Sequence, residues 1–277
     1  MRSKTMNILE KKLPVEEKRL LKEAVRIADK AGKRLLKSFR KEDPVERGTV
    51  KEVKLVYDIV ADRIVRQHIE THFPEHSYVT EETGYMDKGS PWLWIIDPLD
   101  GTSNFADQNP MFAVSISLWH NGEPVLGIIE CPMMLERFVS VRGYGAYHYD
   151  ALRKKVMKAK VSGISRASCA YGVYCEGGVK NKKKSLELLG RYYLQIKDTR
   201  KLGSAALELA FVGMGRSESY ITTRISLWDI AAGILFVSEA GGALLHFDGA
   251  PYEWHEFKHE RNFDLLATNG NLKIKLL

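Results

Sequence analysis

From Pro14 to Lys41 the apolar residues recur every three or four positions. Leu20, Ala24, Ile27, Ala28, Ala31, Leu35 and Phe39 share one stripe, and Lys and Arg fill much of the rest. That period predicts a long amphipathic helix. Val50 to Tyr57 alternates and reads as a strand. Asp58 to Phe73 returns to helical spacing through Val60, Ile64, Val65, His68 and Ile69, and Pro74 stops it. Strands follow at 77–81, 92–96, 111–119 and 124–131, the last two joined by Asn121-Gly122. Two shorter ones lie near 136–141 and 145–149. Beyond a basic stretch, 181–194 reads as a helix and Ser204 caps another over 205–214. A strand near 217–223 leads to a helix opened by Trp228-Asp229 and closed after Ala240 by Gly241-Gly242. Strands at 243–247 and 263–268 complete the set. Similar shares of helix and strand predict an α+β or mixed α/β fold. The expected organisation is one domain over 1–277, made of two intimate halves that divide near 150–160.

Composition places the chain among ordinary globular proteins, with 277 residues, 44% hydrophobic and 28% charged. No apolar run reaches bilayer length, so no membrane association is expected. The opening Met1-Arg2-Ser3-Lys4-Thr5-Met6-Asn7 lacks the apolar core of a secretory signal. Three irregularly spaced cysteines (Cys131, Cys169, Cys175) make no disulfide framework, which fits a cytoplasmic location. The net charge of +7 conceals a segregation: residues 55–150 hold 5 basic and 14 acidic side chains, whereas 151–201 hold 14 and 3. Basic flanks of this kind concentrate anionic substrates near an acidic centre.

The acidic segment contains the most informative stretch. Trp92-Leu93-Trp94-Ile95-Ile96 runs into Asp97-Pro98-Leu99-Asp100-Gly101-Thr102. Proline fixes its own φ and holds the preceding residue extended, so the chain turns where the acids begin. Such a turn can aim Asp97, the Leu99 carbonyl and Asp100 at one point, and hard oxygens suit Mg²⁺. If Gly101 and Thr102 open a helix, their amides face an anion.

Two further segments, Glu81-Glu82-Thr83-Gly84 and Trp228-Asp229-Ile230-Ala231-Ala232-Gly233, join this one in an order and spacing that resembles the inositol monophosphatase family of Mg²⁺-dependent sugar phosphatases. The resemblance runs from about residue 15 to 270. It implies a layered αβαβα fold and a homodimer acting on a small phosphate ester. It places Glu81, Asp97 and the Leu99 carbonyl on a first ion. Asp97, Asp100 and Asp229 fall on a second, and a weaker third lies near Glu81; Mn²⁺ is an alternative ion. Asp58 and Thr102, with Glu81, are implied in activating the attacking water, and Gly101 and Thr102 in holding phosphate. Ser204 and Ala205 match positions lining the sugar pocket. Thr222 stands where inositol phosphatases carry an acid, with Arg224 nearby, and Leu55 stands where a threonine is usual. Arg47 or Lys51 is the nearest match to an upstream lysine of the family.

The implied reaction is in-line attack of a metal-activated water on a phosphomonoester, with inositol 1-phosphate as first substrate. Fructose 1,6-bisphosphate and a 3′-phosphonucleotide are the alternatives. Two readings come from other classes. His255-Glu256-Phe257-Lys258-His259 matches a zinc metalloprotease pattern, but Pro251 precedes it and a strand follows, so a polar loop is expected. The Lys180-Asn181-Lys182-Lys183-Lys184 run suggests a nucleic-acid-binding protein, yet it lacks interleaved aromatics, and nucleic acid is not the expected partner.

Overall fold

The computed structural model describes residues 11–39, 50–176 and 182–277. Arg47 and the start of the Lys-rich run lie outside the described residues. Two long helices, α1 (Val15–Ser38) and α2 (Val50–His72), precede an eight-stranded sheet. Its strands are β1 (Ser77–Thr80), β2 (Gly84–Met86), β3 (Trp92–Asp100), β4 (Ala113–His120), β5 (Glu123–Cys131), β6 (Glu136–Val141), β7 (Gly145–Asp150) and β8 (Lys155–Lys158). Their order is β2-β1-β3-β4-β5-β6-β7-β8, and only β1 and β3 run parallel. A five-residue helix, α3 (Thr102–Ala106), follows β3 directly.

The second sheet contains β9 (Tyr171–Glu176), β10 (Asp198–Arg200), β11 (Ser219–Ser226), β12 (Ala243–Leu245) and β13 (Asn262–Thr268), in the order β10-β9-β11-β13-β12. Three helices accompany it: α4 (Lys182–Tyr193), α5 (Ala205–Gly213) and α6 (Leu227–Glu239).

Burial sorts these elements into five layers. Leu20, Leu21 and Ile27 of α1 and Val65 and Ile69 of α2 pack on Trp94, Ile96, Val114 and Ile116 of the first sheet. Val79, Ile95 and Trp119 of that sheet join Leu209 of α5, Ile230 and Ile234 of α6, and Tyr220 and Leu265 of the second sheet. The next residues along those strands, Ile221 and Leu266, point the other way, against Leu188 and Tyr192 of α4. Alternation along a pleated strand thus builds two cores from one sheet. The resulting order is helices, sheet, helices, sheet, helix, a mixed α/β architecture. At Gly127 the approach of α6 to β5 leaves no room for a side chain, since a Cβ there would lie 2.9 Å from the Ala232 carbonyl oxygen.

One expected element is corrected. Residues 50–57 belong to α2, not to a strand. Val53, Tyr57, Val60, Ala61, Ile64 and Val65 continue a three-or-four spacing, and no Gly, Pro or Asn separates Tyr57 from Asp58. The helical period over the whole segment outweighs a short alternation at its start. Among the described residues, no helix is long and apolar enough to cross a membrane.

Arg216, after α5, ties the middle layer to the first sheet by two hydrogen bonds to Glu136, of 2.6 and 2.8 Å. Burial works to raise the Glu136 pKa, but the nearby His148 ring (Nε2 3.4 Å from Oε1) and the bonds from Arg216 outweigh it and bring it down to about 2. A carboxylate whose pKa falls on folding adds stability above its unfolded pKa and loses it as pH drops toward the folded value. Urea midpoints of the native chain are therefore expected to fall between about pH 4.5 and 2. Glu136→Gln should flatten that acid limb, and equal slopes for both proteins would remove Glu136 from this role.

Candidate active site

The site forms where the first sheet meets α6. Parallel pairing of β1 and β3 sets Thr80 opposite Ile96, so the residues one step further, Glu81 and Asp97, stand side by side. The Glu81 amide donates to the Ile96 carbonyl (3.3 Å), holding the start of the turn against β3. On its other edge β3 pairs Asp97 with Ser115 and Asp100 with Ala113, one residue more on β3 than on β4. This bulge swings Pro98 and Leu99 out of the ladder and turns the two acids. The Leu99 amide donates to Asp97 Oδ1 (2.9 Å), and the Thr102 hydroxyl donates to the Leu99 carbonyl (3.0 Å). Gly101 has φ +88°, and a Cβ there would meet the Met111 carbonyl at 2.9 Å, so the turn requires glycine.

The third acid arrives from the middle layer. Asp229 lies in the first turn of α6, where its Oδ2 accepts from the Ser226 amide (3.2 Å). Glu81, Asp97 and Asp229 each offer an oxygen, all within 4.8 Å of one another. Burial raises the Asp97 pKa well above the ordinary range, and the charges of Glu81, Asp100 and Asp229 add to it. Asp229 is raised in the same way, by burial and then by Asp100 and Glu81. Such oxygens in one partly dry volume repel one another, and a divalent cation with oxygen preference offsets that repulsion. The residues present therefore fit a hard metal ion.

Asp100 stands apart from that trio. It accepts from the Ser204 hydroxyl and from the amides of Ala205 (3.1 Å) and Ala206 (2.8 Å), at the N-terminus of α5. Burial raises its pKa to about 6, while those bonds hold it down. Ser204 and Ala205 thus meet the expected metal acid directly. Asp58 is buried on α2. Thr222 is buried in β11, whereas Arg224 is exposed at a bulge with φ +55°, its amide held by Asp264 Oδ1 (2.9 Å).

Two residues escaped the sequence reading. Asp62, one helical turn beyond Asp58, accepts at Oδ2 from the Thr83 hydroxyl (2.8 Å) and from Arg66 (2.6 Å). Its buried Oδ1 has no hydrogen-bond partner among the described residues. Thr83 belongs to the Glu81 turn, so Asp62 reaches the site through it. Glu208 accepts at Oε1 from the amides of Leu202 (2.7 Å) and Gly203 (3.1 Å), and burial raises its pKa to about 8. It thereby clamps the loop that presents Ser204 to Asp100. The signal for Glu208 was a lone acid within the apolar helix Ala205–Gly213; for Asp62 it was its four-residue distance from Asp58.

The metalloprotease pattern does not form. Only Trp254–Glu256 makes a short 3₁₀ turn; Glu256 bonds His246 (3.1 Å), and His259 packs on the Tyr85 ring. Two histidines need a shared helical face to chelate zinc, and Phe257 already leaves the turn extended.

Comparison with known proteins gives the family of the chain. The family model described as the inositol monophosphatase family matches residues 16–273. The chain is 31% identical over 259 residues to a Nus factor SuhB of Xylella fastidiosa, covering 90% of this chain and 89% of that one. It is 33% identical over 227 residues to a fructose-1,6-bisphosphatase/inositol-1-monophosphatase of Thermotoga maritima, covering 82% and 84%. Among solved structures, an inositol monophosphatase from Anabaena superposes with a TM-score of 0.74 at 32% identity, over 91% of each chain. With its αβαβα layers and carboxylate trio, a metal-dependent phosphatase centre, this chain belongs to the inositol monophosphatase family.

Proposed function

We propose that the chain hydrolyses a small phosphorylated polyol or sugar, with inositol 1-phosphate as first substrate and Mg²⁺ as the working ion. The observation that carries this is the convergence of Glu81, Asp97 and Asp229 from three elements. Glu81, Asp97 and the Leu99 carbonyl would hold one ion, and Asp97, Asp100 and Asp229 a second. Bound cations offset the charge of the phosphate and make a water more acidic. Asp100 would share its oxygens between an ion and the N-terminus of α5, which couples the Ser204-Ala205 loop to the centre. The amides of Gly101 and Thr102 would hold phosphate oxygens, and Thr102 steadies the Leu99 carbonyl from below. A cytoplasmic homodimer is the accompanying expectation.

The acid that orients the attacking water is better assigned to Asp62 than to Asp58. What supports it is the bond from Thr83, two residues beyond Glu81, which ties Asp62 to the turn of that metal acid. A carboxylate so placed can accept a proton from water.

A bisphosphate is the second reading. Arg224 is favoured for it because its exposed side chain leaves a left-handed backbone, whose amide is held by Asp264, near the strand end that leads into Asp229. Strain of this kind costs about 1 kcal/mol or more, and a cation there can meet a second anionic group. Inositol 1-phosphate, fructose 1,6-bisphosphate and a 3′-phosphonucleotide, each assayed with saturating Mg²⁺, separate the substrate classes. Inositol 1-phosphate is expected to give the highest kcat/KM. Arg224→Ala should leave that value within about twofold and lower kcat/KM for the bisphosphate by roughly tenfold or more. No turnover of any phosphomonoester would overturn the proposal.

Asp97→Asn is expected to lower kcat by roughly a thousandfold or more, because charge is lost while shape is kept. Metal-free Asp97→Asn should also unfold at higher urea than metal-free native protein, since removing one of several mutually repelling acids relieves the fold. Full activity in this variant would refute the scheme. Asp62→Asn should lower kcat by about 10²-fold or more, and Asp58→Asn by clearly less. The reverse ranking, in proteins with unchanged circular dichroism, would return the role to Asp58.

A further inference from the structure

On the opposite flank of the first sheet, α1 and α2 meet along a seam that contains a second group of metal-ligand side chains. His68 and His72 lie one turn apart on α2, and Glu23 faces them from α1. Each offers a ligand atom, all within 4.8 Å of one another. We propose that Glu23, His68 and His72 form a binding site for a zinc-class divalent ion, separate from the phosphatase centre and pinning α1 to α2.

Three features argue for it. First, the His72 Nδ1–H donates to the His68 carbonyl (3.0 Å), which leaves Nε2 as the acceptor nitrogen. A ring fixed through its other nitrogen by a backbone carbonyl is the arrangement that orients metal-binding histidines. Second, the two rings leave the same face of α2, stacked with centroids 4.1 Å apart, and the exposed His72 ring needs only to rotate out of that stack to bring its Nε2 to an ion held by His68 and Glu23. Third, His68 Nε2 already lies 2.9 Å from Glu23 Oε2, with side chains only 4% and 12% exposed. A tetrahedral ion with bonds near 2.0–2.1 Å needs about 3.3 Å between such atoms, so a shift of a few tenths of an ångström admits it. Burial lowers the His68 pKa, which favours the neutral ring that a metal requires.

The arrangement without metal has its own hydrogen-bond logic. Lys30 Nζ donates to His68 Nδ1 (3.2 Å), so the ring proton sits on Nε2 and points at Glu23. When an ion takes Nε2, that proton is replaced and Nδ1 gains one from solvent. Exposed Lys30 then swings away into water. His68 stays neutral throughout, and no net proton is released. Glu23 Oε1 is held by Arg26, which leaves Oε2 facing the histidines. Two nitrogens and one carboxylate select a zinc-class ion over Mg²⁺, whereas the all-oxygen trio of the phosphatase centre has the opposite preference.

His72 is exposed in the last turn of α2, so His72→Ala tests the site without disturbing the core. Native protein and this variant, both in excess Mg²⁺, are equilibrated with Zn²⁺, desalted and assayed for bound zinc. The native chain should retain one more zinc per chain than His72→Ala. Co²⁺ should give it the intense visible absorption of a four-coordinate site, and the variant should lose that band. Glu23→Gln should weaken Zn²⁺ binding by about tenfold or more. Zn²⁺ should raise the unfolding temperature of the native chain and leave that of His72→Ala unmoved. Unchanged Mg²⁺-dependent phosphatase rates in His72→Ala would verify its fold. Equal zinc contents in the two proteins would overturn the proposal and leave the seam an ordinary hydrogen-bonded helix contact.

Discussion

Negative charge concentrated at the junction of two layers is the constraint around which this molecule is arranged. Asp97 is buried at the end of β3, Glu81 follows the neighbouring parallel strand, and Asp229 begins a helix of the middle layer. Burial raises the pKa of Asp97 and of Asp229; Glu81, Asp100 and Asp229 raise that of Asp97 further, and Asp100 and Glu81 that of Asp229. Protein groups offset this only in part, through the amides of Leu99 and Ser226. The backbone nevertheless holds the acids together, because the β1–β3 register, the β3 bulge and the docking of α6 are set by apolar cores on both sides. Stability made elsewhere supports a locally unfavourable cluster, as metal centres require.

Around that centre, backbone and carboxylate take turns holding each other. Asp100 caps α5 while facing the acids, and Glu208 of the same helix reaches back to the amides of Leu202 and Gly203. The loop between β10 and α5 is thereby held by one acid of the first sheet and one of the middle layer. Asp62 does the same for the Glu81 turn through Thr83. These contacts leave little freedom in the position of the groups expected to meet substrate, and positioning together with charge is most of what phosphoryl transfer asks of a protein. The helix seam carrying Glu23, His68 and His72 differs in kind: its nitrogens prefer softer ions, so one chain presents two centres of opposite metal preference.

Much of this was legible from the chain alone, for identifiable reasons. The amphipathic period over Val15–Ser38 follows from a helix that buries one face, the start and stop residues around Leu227–Glu239 mark a helix buried on nearly every side, and buried β3 followed by Asp-Pro-Leu-Asp-Gly-Thr follows from a strand that ends in a forced turn. Asp97 and Asp100 were nameable from the forced turn that holds them, whereas Glu81 and Asp229 were named through the resemblance of their segments to the inositol monophosphatase family. The helical identity of residues 50–57 was not, since eight residues hold too little of the period to distinguish it from alternation. The second sheet was only partly visible, because β9 and β10 are short and lie in a basic region with weak patterning.

What tertiary structure alone decided is which side chains meet. Local sequence specifies that Asp100 follows a turn, yet only the docking of α5 directs its oxygens to the Ser204 hydroxyl and the amides of Ala205 and Ala206. Asp58 and Asp62 differ by one helical turn and look alike in the chain; the Thr83 hydroxyl, twenty-one residues beyond Asp62, distinguishes them. Glu23 joins His68 across forty-five positions through the packing of two helices. Backbone conformation is governed by neighbours in sequence and could be read there, whereas electrostatic partnership depends on distance in space, which the packed layers alone define.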